Sequence, residues 1–140
     1  MMRMRSLATL ALALALTGAP AGAHDDDGDH HEAPKGMSVQ LEAIPSGMGF
    51  TLHLKTRKFR FTPQQADGKH RPGKGHAHLW VDGVKKTRIY GPWHYVGGLT
   101  PGRHEIRVTL NGNDHDDYVR EDGGVVDAVF VGDVMMMPPG

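Results

Sequence analysis

The chain has no cysteine. That absence excludes disulfides, a lipidated cysteine and thiolate metal sites, so any metal chemistry falls to His, Asp, Glu, Met or backbone groups. No excess of charge is present either: 16 Lys and Arg balance 16 Asp and Glu. Without a basic stripe, nucleic acid is not an expected partner. Serine is scarce, with Ser38 and Ser46 the last two in the chain, and neither sits in a nucleophile motif. No glycine-rich phosphate loop opens a helix, and no Asp-rich loop ends in the distal Glu of an EF-hand. Nothing singles out an acid/base pair, so no enzyme is expected.

Long apolar runs are missing too, with one exception. Residues 7–16 are Leu and Ala with a single Thr, preceded by Arg3 and Arg5 and followed by the small residues Ala19, Ala21 and Ala23. This order predicts a cleavable secretory signal peptide over 1–23, because the run is too short to span a bilayer. Cleavage fits after Ala21 or after Ala23, and the second frame falls where apolar character stops. The mature protein is then expected to be periplasmic or secreted. Losing Arg3 and Arg5 leaves it 14 basic residues against 16 acidic.

What the chain does have is histidine. All ten lie beyond residue 23. Residues 24–36, HDDDGDHHEAPKG, are too polar to bury a core and read as a disordered acidic, His-rich arm. The domain is expected over 37–134, followed by a Met/Pro tail over 135–140. Phe50, Leu52 and Leu54 alternate with Thr51, His53 and Lys55, and Ile106, Val108 and Leu110 repeat the period. Phe59 and Phe61 mark a short strand ended by Pro63. Asp82-Gly83 joins two strands as a type I′ hairpin turn. No segment of helical period is long enough for a helix beyond the leader. Seven or eight short strands at this spacing predict an all-β fold, an immunoglobulin-like antiparallel β-sandwich.

The sharpest constellation is Gly75-His76-Ala77-His78. Residues two apart on a strand share a face, about 7 Å apart at Cα, so both imidazoles can reach one metal ion. Ala77, Leu79 and Val81 are expected to face the core, leaving His76 and His78 outward beside Trp80. His94 and His115 lie at other strand ends or loops and are candidate completing ligands, with Asp114 a further ligand or an acceptor that orients a ring. An imidazole set suits copper or zinc. The same pair also fits a plain structural role as polar, outward-facing residues. His104 falls on the Ile106/Val108 face and reads as a satisfied, half-buried histidine; His53 and His70 are left out of any site.

The arm holds a separate candidate, His24. Cleavage after Ala23 makes it the first residue, where amine and ring nitrogen can chelate Cu(II). Cleavage after Ala21 makes it the third, where amine, amides and imidazole form a square-planar site. Met135, Met136 and Met137 offer thioethers, but three methionines at a terminus are more commonly unpaired residues.

Residues 59–131 with their immediate flank contain Lys58-Phe59-Arg60-Phe61-Thr62-Pro63, Gly75-His76-Ala77-His78-Leu79-Trp80-Val81-Asp82-Gly83, Tyr90-Gly91-Pro92-Trp93-His94-Tyr95 and Leu110-Asn111-Gly112-Asn113-Asp114-His115. In these stretches, about half the chain, the sequence resembles an uncharacterised family of small exported bacterial proteins. The resemblance implies an immunoglobulin-type sandwich and draws attention to His76, His78, His94 and His115; it implies no activity.

The expected function is a small exported module that binds a transition metal, copper before zinc, for buffering or delivery. His76, His78, His94 and His115 are its expected ligands, with Asp114 beside them and His24 as a separate chelator. The alternative is an interaction or adhesion module of the cell envelope, recognising a protein or glycan through Trp80, Tyr90, Trp93 and Tyr95.

Overall fold

Alternation with period two builds the strands, and the turns set their order. The computed structural model describes residues 29–136. The expected signal peptide, His24 and the end of the Met/Pro tail lie outside the described residues. In chain order the strands are β1 (His30–Glu32), β2 (Ser38–Ser46), β3 (Gly49–Arg57), β4 (Arg60–Phe61), β5 (Lys74–Val81), β6 (Val84–Ile89), β7 (Trp93–Val96), β8 (Gly102–Asn111), β9 (Asp117–Val119) and β10 (Asp127–Val134). A single 3-10 turn, Pro63–Gln65, lies between β4 and β5. No helix among the described residues is long and apolar enough to cross a membrane.

Two sheets pack against each other. One has three strands in the order β2-β3-β7; the other has seven, with β8 and β5 paired at its centre. Phe50, Leu52 and Leu54 of β3 face Ala77, Leu79 and Val81 of β5 and Ile106, Val108 and Leu110 of β8 across one buried core. Each of the larger aliphatic side chains contributes about 1.5–3 kcal/mol by leaving water. Phe130 closes the far side, its ring edge-on to Phe50 at 5.2 Å between centroids. The fold is the expected all-β sandwich.

The Asp82-Gly83 hairpin forms as expected, with φ of 50° and 79°, and β6 returns antiparallel along β5. Not every pair is antiparallel. β4 runs parallel to β5, and β1 runs parallel to β9. The second pairing corrects the expectation that 24–36 is disordered throughout: His30, His31 and Glu32 pair with Asp117, Tyr118 and Val119. Backbone hydrogen bonding, not apolar burial, orders this polar segment, which is why composition misjudged it. His104 is the satisfied histidine the strand period implies. Its Nδ1 donates to Asp82 Oδ2 and its Nε2 to the Thr100 carbonyl, each at 2.6 Å. With both nitrogens donating, the ring is an imidazolium, and the Asp82 contact holds its pKa above the usual histidine value.

Candidate metal centre

Alternation on β5 sends Ala77, Leu79 and Val81 into the core and His76 and His78 to the opposite face. That face is not open. His76 is 1% exposed and His78 3%, beneath a roof that includes the loop carrying His115. The 3-10 turn segment crosses beside β5, with the Thr62 amide bonded to the Gly75 carbonyl. Gly75 is required by this crowding: a Cβ there would sit 1.8 Å from the Asn111 carbonyl oxygen.

Two asparagines fasten the roof. Asn111 pairs opposite His76 on β8; its side-chain amide donates to the His115 carbonyl at 2.9 Å and to Asp117 Oδ1 at 2.6 Å. Asn113 is fully buried. It accepts from the Thr62 hydroxyl at 2.8 Å and donates to the Lys69 carbonyl, while its own carbonyl accepts from the Asp67 amide at 2.8 Å. Loop 112–116 is thereby clamped to residues 62–69, and His115 is delivered above the β5 pair.

The result is three imidazoles with one ligand nitrogen each, all within 4.8 Å of one another: His76, His78 and His115. The Nε2 atoms of His76 and His78 are 3.0 Å apart and share one proton. The His115 ring lies 4.9 Å from that of His76 and 5.9 Å from that of His78. His76 Nδ1 is buried with no hydrogen-bond partner. Burial, reinforced by His115 and Arg88, lowers the His76 pKa to about 4. Burial, reinforced by Lys85 and His76, lowers that of His78 to about 3. Both rings are therefore neutral near pH 7, the state in which imidazole is a ligand.

His115 donates from Nε2 to Asp67 Oδ1. That bond, with Arg88 also on Asp67, holds the carboxylate below its usual pKa. With Nε2 engaged by Asp67, Nδ1 is the ring nitrogen left to act as a ligand atom, the carboxylate–histidine pairing that orients metal-binding rings. Both partners have left-handed backbones, φ 64° for Asp67 and 76° for His115. Such a conformation costs a non-glycine residue about 1–2 kcal/mol, and the clamp of Asn111 and Asn113 sustains it.

Asp114 does not join this group, contrary to expectation. The chain reverses at His115, so the neighbouring side chains diverge and Asp114 meets His31 instead. His31 Nε2 donates to both its oxygens, at 2.8 and 3.0 Å. His70, left out of any site from the sequence, stacks on His31 with 3.3 Å between centroids and 11° between planes. His31, His70 and Asp114 form the second group of metal-capable side chains among the described residues. Nor does His94 reach the first group. It lies on β7 opposite Leu52, in the three-stranded sheet, and burial alone lowers its pKa. Strand period assigns a residue to a face, but which sheet receives the strand is a tertiary matter.

Asp67 was not marked from the sequence, His70 was left out of any site, and His31 counted only as part of the His-rich arm. No periodicity flags them, since each reaches its group through a loop or a three-residue strand. The buried Asn111 and Asn113, two residues apart in a polar turn, are the signal that this loop is held in place. Compared with known protein families, with curated proteins and with solved structures, the chain has no match.

Proposed function

We propose that this is an exported, immunoglobulin-like sandwich protein that holds a transition-metal ion on His76, His78 and His115, with copper or zinc as cargo for buffering or delivery. The observation that carries the reading is the 3.0 Å contact between two buried, neutral imidazole nitrogens with a third ring beside them. Metal–nitrogen bonds of about 2.0–2.1 Å on a tetrahedral ion set ligand nitrogens about 3.3 Å apart, so the β5 pair needs little adjustment. The donor set fits: three borderline nitrogens, no thiolate, and a carboxylate that orients one ring. Three protein ligands leave a coordination position open, which suits an ion that is to be handed on. Export rests on the leader-like residues 1–23.

The test is isothermal titration of Cu(II) and Zn(II) into the wild type and the His76→Ala/His78→Ala double variant. The reading expects one equivalent to be lost in the variant. Equal binding by both proteins would overturn it.

A specific observation favours a second reading. Trp93 and Tyr95, on the same face of β7, are 56% and 54% exposed. Such a pair suits the envelope-interaction alternative, in which a protein or glycan packs on the aromatic edge. Trp80 does not belong to that surface, being half-buried with Arg107 over its ring at 5.9 Å.

A further inference from the structure

We propose that His31, His70 and Asp114 form a second, independent metal site that pins the N-terminal strand to the domain. The three side chains come from three separate parts of the chain: β1, the loop before β5, and the loop between β8 and β9. Their ligand atoms lie within 4.8 Å of one another. His31 and His70 stack face to face, and His31 Nε2 bonds both oxygens of Asp114. Asp116 adds a fourth donor, with Oδ2 3.6 Å from the same nitrogen. His70 Nδ1 is buried and has no hydrogen-bond partner, so a ring nitrogen faces this site without a proton acceptor or donor to satisfy it. A buried polar atom of this kind is costly unless something else occupies its lone pair.

Gly112 supplies the space. The three atoms nearest to a Cβ at that position would be Asp114 Oδ1 at 2.8 Å, His31 Cδ2 at 3.0 Å and His70 Nδ1 at 3.0 Å, one from each member of the group. The three ligands thus converge on one bare Cα. Two nitrogens and one or two carboxylate oxygens make a mixed set suited to a divalent ion such as Zn(II) or Cu(II).

The site also explains what could fix β1. That strand has three residues, with none of its side chains fully buried. Its pairing with β9 and the bond from the Ala33 amide to the Val119 carbonyl are backbone contacts at the edge of the sheet. A metal ion on His31 adds a cross-link to the domain loops that the apolar core does not provide. The first group uses neither His31, His70 nor Asp114, so the two sites stand or fall separately.

Titrating Zn(II) into the purified chain, with amide hydrogen exchange of residues 30–33 followed in parallel, tests this. His70→Gln and Asp114→Asn are each expected to lose one equivalent. His76→Ala/His78→Ala should retain that equivalent. Zinc should slow exchange in residues 30–33 at least tenfold in the wild type and the double variant, and not in His70→Gln. If both single variants bind as many equivalents as wild type, or zinc leaves exchange in residues 30–33 unchanged, the second site is overturned. Loss only in the double variant sinks this site and keeps the first. Loss only in the single variants does the reverse.

Discussion

His76 and His78 bring their Nε2 atoms to 3.0 Å although both side chains are almost wholly withdrawn from water. Two neutral imidazoles can share that contact by one donating to the other. A single proton holds them together, and a second one has no place. Burial is the main cause of their depressed pKa values.

Acid sensitivity follows from that burial. The unfolded chain protonates these rings near the ordinary histidine value of 6.5, whereas the folded protein resists until about 4 for His76 and about 3 for His78. Between those limits the unfolded state binds more protons, so stability falls as pH falls. The slope is about 1.4 kcal/mol per pH unit for each ring. Denaturant melts of the metal-free protein from pH 7 to pH 4 should show this decline, and His76→Gln/His78→Gln should flatten it.

The Asp67–His115 pair predicts a second effect. Asp67→Asn removes the carboxylate that orients His115 without emptying the loop. Affinity for Zn(II) at the first group should drop about 10–100-fold, the usual cost of losing such a partner. Competition titration against a chelator of known affinity reads the change, and thermal unfolding should show a much smaller one.

Asn113 is expected to matter for both loops at once. Asn113→Ala removes the side-chain bonds to the part-buried Thr62 hydroxyl and the Lys69 carbonyl, each hydrogen bond of this kind being worth about 0.5–1.5 kcal/mol. Because the same residue fixes loop 112–116, metal affinity should weaken together with stability. Parallel melts and titrations of this one variant check the coupling.

The His104–Asp82 pair has the opposite pH signature. The raised pKa of His104 makes its contribution complete below 6.5 and lost as pH rises through the folded value. Asp82 is held below 3.8, by the Glu105 amide first and then by His104, so its contribution fades only as pH falls through that lower value. Asp82→Asn, which keeps a side chain tolerant of the turn's positive φ, should therefore lower the melting temperature most near pH 5. By pH 9 the difference from wild type should shrink.

Legibility in the sequence tracked the range of the interactions. Period two alone placed Phe50, Leu52 and Leu54 in the core and His76 beside His78, because strand geometry is local. Asp82-Gly83 announced its hairpin for the same reason. His94 went astray because nothing within Trp93-His94-Tyr95-Val96 encodes pairing with β3 instead of β5. The groupings of His31, His70 and Asp67 were not legible because each depends on a distant partner, through β9, a ring stack or the Asn113 clamp. Asp114 and His115 are adjacent in sequence but join different side-chain groups, with a left-handed residue at the turn between them.

The most direct measurement is an anomalous-scattering map from a crystal of the zinc-loaded protein, collected at the metal edge. A peak bonded at about 2.0–2.1 Å to ring nitrogens of His76, His78 and His115 is the predicted result. A loaded crystal with no peak at that position, whatever peaks lie elsewhere, would contradict the proposed metal centre.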